Sequence, residues 1–205
     1  MYCFINGEKI SRKFKVTTNS KHNHFVVQNV LNREFTANKP SKVWVSDITY
    51  IQTTEGFLYL TTVLDLFDRK VIDWSLSNGL GTEQTSLAAR KMAVRNRKIR
   101  QGLVFKSDRG IQYANKKFTN TLDSYTVTRS MSRKGDCWDN AVAESFFKSL
   151  KTELIYGNKL ISRKQMRLEI FEYIEIWYNK KRRHSALNYK TIEEFNNLDM
   201  YNNIA

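Results

Sequence analysis

An aspartate stands in the middle of a strand-like run, and few folds tolerate that. In VWVSDITYI, residues 43–51, β-branched and aromatic residues alternate around Asp47, the pattern of a half-buried strand. A carboxylate placed there loses water and must be offset by a cation or by hydrogen bonds. Two more strand signals follow closely: GFLYLTTVLDLF after the Glu55-Gly56 turn, then KVIDWSLS. Three strands joined by short turns read as an antiparallel meander. Asp65, Asp68 and Asp73 are expected at turns or on the surface.

Beyond the meander, Thr82 can cap a helix running to about residue 97, with Leu87, Met92 and Val94 among its apolar positions. Gly102 breaks it, and LVFKSD reads as a short buried strand ending at Asp108. A helix over 115–124 and a strand over 125–130 come next. SRKGDCWD is a loop, and Asp139 or Asn140 caps a helix through about residue 155. A last helix spans roughly 163–179. The order is mixed α/β. Residues 1–40, basic, polar and closed by the only proline, Pro40, read as a linker or the remnant of a preceding domain. Residues 41–158 form the core, and 159–205 a C-terminal helical extension.

Lys and Arg number 34 against 20 Asp and Glu, a formal charge of +14. Such an excess suits a polyanionic partner, nucleic acid being the commonest, although a solvated basic surface is the plainer alternative. A hydrophobic share of 41% supports a folded domain. No apolar run approaches the roughly 20 residues needed to span a bilayer, and the N-terminus lacks a signal-peptide pattern. Cys3 and Cys137 are the only cysteines, which excludes a disulfide framework and a CxxC knuckle. The expected location is the reducing bacterial cytoplasm, near the nucleoid. There is no GxxxxGK[ST] loop and no strand-linked GxGxxG, so no nucleotide partner is expected.

Asp47 in a strand, Asp108 at the end of another and Glu144 in the first turns of a helix converge if the strands are neighbours and the helix packs across them. Three such carboxylates cannot all stay ionised without a cation, and hard oxygen ligands suit Mg²⁺ or Mn²⁺. Two ions would serve in-line attack on a phosphodiester, one at the attacking and one at the leaving oxygen. With twenty acidic residues, spacing alone is weak evidence; the surrounding sequence carries the weight.

WVSDITYI, SDRGIQY and SMSRKGDCWDNAVAESFFKSLKTEL together resemble the integrase-core (D-D-35-E) transposases of bacterial insertion sequences, relatives of retroviral integrases. YIEIWYNKKRRHSALNYKTIEEF resembles the C-terminal signature of the same family, so the likeness runs from about residue 12 to 195. It implies a ribonuclease-H-like fold, a five-stranded mixed sheet with flanking helices, plus C-terminal helices. Asp47, Asp108 and Glu144 match the family's catalytic and metal-binding carboxylates, and 35 residues separate Asp108 from Glu144. Implied too are double-stranded DNA as partner, a homodimer or higher assembly, and direct use of phosphodiester energy by water and then a DNA 3′-hydroxyl. Lys106 stands where the family usually has histidine, and Ile192 where it commonly has proline. The resemblance further implies a helix-turn-helix region upstream of the matched stretch, so the chain is expected to start late relative to the family.

On the Glu144 helix, Ala143, Phe146, Phe147, Leu150 and Leu154 should face the core. Lys148 and Lys151 share the face of Glu144 at i+4 and i+7; retroviral integrases place DNA-contacting lysines at these offsets, while the bland reading is a surface Glu–Lys pair. Arg109, beside Asp108, and Arg133 and Lys134, in the loop before the helix, are further DNA-contact candidates, with Gly135 giving the loop freedom. Trp138 is expected to anchor that loop by packing. Phe171, Tyr173, Trp177 and Tyr178 are expected in helix core and interface. Arg182 and Arg183 in KKRRH either contact phosphates or decorate a solvated helix end; His184 and Ser185 have no assigned role. Two rival functions remain: a ribonuclease-H-like nuclease acting on RNA–DNA hybrids, and a catalytically silent, truncated DNA-binding protein.

Overall fold

The computed structural model describes residues 3–5, 8–10, 22–82, 85 and 96–202. Two short strands, β1 (Cys3–Ile5) and β2 (Glu8–Ile10), pair antiparallel. The main sheet holds β3 (Val43–Thr53), β4 (Gly56–Asp65), β5 (Val71–Ser77), β6 (Val104–Ser107) and β7 (Thr128–Met131), in the order β5-β4-β3-β6-β7. The meander is as expected: β3 pairs antiparallel with β4, and β4 with β5. The other two strands run parallel to β3, making the sheet mixed. The expected helix over 82–97 lies almost wholly outside the described residues.

Alternation assigns each face of β3 a core. Val43, Val45 and Ile51 join Leu58, Leu60 and Leu64 of β4 under α3 (Ala141–Leu150) and α4 (Arg163–Glu172). Trp44 and Ile48 point the other way, onto α1 (Ile111–Ala114) and α2 (Lys116–Asp123), with Phe105, Tyr113 and Phe118. Helix α3 continues in wider π-type turns over Lys151–Ile155, and α4 over Tyr173–Lys181. Ser162 caps α4 by accepting from the Gln165 amide.

Several expectations shift. The fifth strand begins at Thr128 because Tyr125 and Thr126 are spent closing the turn after α2, with Thr126 at φ 54°. Neither Asp139 nor Asn140 caps α3 through its side chain. A further helix, α5 (Ile192–Asn202), follows a capping box in which Thr191 Oγ1 accepts from the Glu194 amide and Glu194 Oε2 from the Thr191 amide. Ile192 thus occupies the first helical position, where proline is also well suited.

Asp65, Asp68 and Asp73 are not surface residues; all three are buried. Asp65 accepts from the Ser41 and Phe67 amides, Trp44 Nε1 and Arg97 Nη1, the last at 2.6 Å. Asp68 accepts from Arg97 Nη2 at 2.7 Å and from Asn196 Nδ2 of α5 at 3.1 Å. One guanidinium therefore ties the β4 turn to the start of β3 and, through Asp68, to the C-terminal helix. Removing one partner strands buried charge. Asp65→Ala should lower the free energy of unfolding by about 3–5 kcal/mol in urea titrations, and Arg97→Met combined with it should cost far less than the sum of the two.

Candidate active site

The parallel pairing of β3 with β6 sets the geometry. Val43 lies opposite Val104 and Val45 opposite Lys106. Continued by two residues, the same register brings Asp108, just past β6, level with Asp47, on strands roughly 4.8 Å apart. Alternation sends Asp47 to the face of Val43 and Val45, the face covered by α3. Glu144 stands exposed on the first turns of that helix.

Each aspartate is held by backbone. Asp47 Oδ1 accepts from the Ile48 amide at 2.8 Å, and Asp108 Oδ1 from the Gly110 amide at 2.8 Å. A Cβ on Gly110 would stand 3.0 Å from both Asp108 Oδ1 and Gln112 Oε1, so a side chain there would crowd the carboxylate out of its turn. Behind the sheet, buried Tyr113 shares a 2.8 Å hydrogen bond with Ser46 Oγ, fastening the turn after Asp108 to the residue before Asp47. Sequence reading missed this tie, although Ser46 and Tyr113 each sit inside a recognised motif.

The carboxylates feel one another. Burial, then the charge of Asp108 and, less strongly, that of Glu144, push the Asp47 carboxyl well above the usual range, against the pull of the Ile48 amide and Lys151. Burial also raises Glu144. Lys151 is half-buried, its Nζ 4.8 Å from the centre of the Tyr50 ring; burial lowers its pKa while Asp47 raises it. Lys148 is exposed, one turn beyond Glu144. Among the described residues no three His, Cys, Asp or Glu side chains already close around an ion position.

Lys106 is 1% exposed, an unusual setting for lysine. Its Nζ donates to Ser132 Oγ at 2.8 Å, and burial pushes its pKa down to about 8 against the opposing charges of Asp139 and Asp108.

The other expected DNA contacts separate into two groups. Arg109, Arg133 and Lys134 line a cleft of about 410 Å³ walled by the stretch from Val26 to Asn32. That stretch lies along β7, where Ser130 Oγ accepts from the Val30 amide at 3.1 Å. Buried Asp139 secures loop and stretch together, accepting from the Arg133 amide, the Arg133 and Arg33 guanidinium groups and Asn29 Nδ2. Arg182 is bound elsewhere: Glu153 accepts from it at 2.8 Å, and from Tyr173 and Trp177. Arg183 donates to the Tyr189 carbonyl. Trp138 does not anchor its loop by packing; it is 69% exposed. Tyr173 and Tyr178 are buried as expected, whereas Phe171 and Trp177 are largely exposed. His184 is buried, its Nε2 donating to the Tyr178 carbonyl at 3.2 Å.

A mixed five-stranded sheet carrying two level aspartates under a glutamate-bearing helix is the arrangement of a ribonuclease-H-like nucleic-acid enzyme core. The sequence matches the integrase core domain family over residues 37–137, and a second family of the same description over 125–191. The transposase InsF for insertion sequence IS3A of Escherichia coli (strain K12) is 43% identical over 192 residues, covering 94% of this chain and 66% of that protein. Among solved structures, the HTLV-2 integrase catalytic core domain in complex with magnesium aligns with TM-score 0.53 at 16% identity, covering 78% of this chain and 97% of that one. The catalytic core domain of BIV integrase gives TM-score 0.55 at 15% identity, covering 80% and 99%. This chain belongs to the integrase-core family and has its ribonuclease-H-like fold. It spans just under two thirds of the length of the InsF transposase.

Two consequences can be measured. Without metal, an ionised Asp47 opposes folding, so Asp47→Asn should raise Tm by about 2–4 °C, the shift that roughly 1 kcal/mol produces in a domain of this size, and should remove any further rise on adding Mg²⁺. Asp139 has the opposite sign. Burial raises its carboxyl, but the Arg133 amide and the two guanidinium groups outweigh burial and hold it well below the ordinary range. Its stabilisation is full above about pH 4 and is lost as pH falls through the lower folded value. Asp139→Asn should therefore be about 2 kcal/mol less stable than wild type at neutral pH, with the gap closing only in strong acid.

Proposed function

We propose that this chain is the catalytic domain of an insertion-sequence DNA transposase, cleaving element ends and joining them to target DNA. The observation that carries the reading is the shared level of Asp47 and Asp108 beneath Glu144, in a chain 43% identical to an insertion-sequence transposase. Asp47, Asp108 and Glu144 are the residues that would hold the metal. Their donors are hard oxygens, and the repulsion that lifts the Asp47 carboxyl is what a divalent cation relieves, so the set fits Mg²⁺ or Mn²⁺, two ions in the fullest form. The HTLV-2 core of like fold is described in complex with magnesium. When bound, such ions supply Lewis-acid stabilisation of the attacking and leaving oxygens.

The protein's own groups do the rest. Main-chain amides and Gly110 fix the two aspartates in place. Lys148 presents its ammonium to solvent beside Glu144, where a DNA phosphate would lie. Lys151, packed on Tyr50, adds fixed positive charge near Asp47. Arg109, Arg133 and Lys134 extend the cationic surface along the neighbouring cleft. Water, then a DNA 3′-hydroxyl, is the nucleophile, and double-stranded DNA the partner. Two copies or more would hold two element ends. Among the described residues no helix is long and apolar enough to cross a membrane, in keeping with a protein that works at bacterial DNA in the cytoplasm.

Glu144→Gln should keep the fold and DNA binding while slowing metal-dependent cleavage and joining on cognate ends roughly a hundred-fold or more, a barrier increase of about 2.7 kcal/mol. Full activity in that variant would refute the assignment. Preference for RNA–DNA hybrids over duplex DNA would point to a nuclease of the same fold.

A further inference from the structure

A second concavity lies away from the carboxylates, where the turn after β4 meets α3 and the C-terminal segment. Its volume is about 280 Å³, its walls include Arg69, Ser145, Ser149, Tyr178, Arg182 and His184, and no acidic residue is among its described lining. Arg69 is half-buried, with Nη2 donating to the Phe35 carbonyl at 2.7 Å and Nε buried without a hydrogen-bond partner. No carboxylate among the described residues pairs with it. Its backbone has φ 62°, a region that glycine or asparagine fills more easily. The turn thus holds a strained arginine whose desolvated N–H is used by nothing in the described chain.

The opposite wall is rigid. Glu153 fixes Arg182, whose Nη2 stands 3.3 Å from Ser149 Oγ. His184 is pinned by the Tyr178 carbonyl, with its ring edge-on to Tyr178 at 4.8 Å. Ser145 and Ser149 sit one turn apart on the flank of α3 that adjoins Glu144 and Lys148. From Glu144 to Ser149 is about 7.5 Å along the helix, the axial span of about two phosphates on one DNA strand. A guanidinium with an unpartnered N–H beside hydroxyls is phosphate chemistry.

We propose that this pocket binds a backbone phosphate of the DNA strand held at the carboxylates, about two phosphates from the reacting one. The proposal rests on the reading of the chain as a DNA-acting enzyme. Its test uses the full chain in EDTA with a short duplex and, separately, inorganic phosphate as probes. Arg69→Gln should flatten the slope of log affinity against log salt by about one and abolish saturable binding of inorganic phosphate. Ser145→Asp, which leaves the Arg69 bond to Phe35 untouched, should do the same with an unchanged Tm and circular dichroism spectrum. A wild-type salt slope in Ser145→Asp overturns the proposal, as does unaltered phosphate affinity in Arg69→Gln. Loss of phosphate binding in both variants with an unaltered DNA slope makes the pocket a free-anion site and overturns its DNA source. Binding is read without metal, so a chain that binds DNA in this manner yet fails to cleave or join cognate ends in a separate assay with Mg²⁺ or Mn²⁺ sinks the catalytic reading and leaves the pocket standing.

Discussion

The parallel register of β3 against β6 is the constraint on which the site depends. Continued by two residues, it brings Asp47 and Asp108 level on neighbouring strands. Parallel pairing requires a crossover, and the chain between β5 and β6 supplies the length for one. Packing Phe146, Phe147 and Leu150 on the same face then lowers the helix that carries Glu144 over the pair. Charge is concentrated by the very contacts that build the core. Burial and the charges of Asp108 and Glu144 accordingly push the Asp47 carboxyl well above the usual range, a perturbation that occurs often at functional sites.

A second carboxylate pair shows the contrast. Asp65 and Asp68 are more deeply buried than Asp47, yet they share Arg97 and a ring of amide and indole donors, so their charge is answered inside the protein. Asp139 is answered likewise by Arg33 and Arg133. Asp65, Asp68 and Asp139 thus have guanidinium groups built against them, whereas the Asp47 carboxyl is pushed up by burial and by the neighbouring charges of Asp108 and Glu144.

That division was only partly legible in the sequence. Strand alternation and turn residues disclosed the meander, because a period of two survives any tertiary context. The motifs around Asp47, Asp108 and Glu144 singled them out as candidates, and the register of β3 on β6 brings the two aspartates level. Asp65 and Asp68 do stand at the turn after β4, but their burial was not legible, because Arg97 lies about thirty residues away in sequence and Asn196 far beyond, and no local pattern announces such partners. Trp138 was misjudged for a related reason: Asp139, not the indole, does the anchoring of its loop. The late start of β7 turns on a positive φ at Thr126, which β-branched sequence does not advertise.

Helix α3 joins these themes. One side of it, through Phe146, Phe147 and Leu150, is core; a second carries Glu144 and Lys148; a third, through Ser145 and Ser149, faces the Arg69 pocket. Three functions on one short helix leave little freedom for its rotation or slide. Its ends are correspondingly fixed: Asp139 holds the approach through Arg33 and Arg133, and Glu153 ties the π-type extension to Tyr173, Trp177 and Arg182 of the C-terminal segment. The C-terminal segment is therefore fastened to the same continuous helix that carries Glu144, through Glu153.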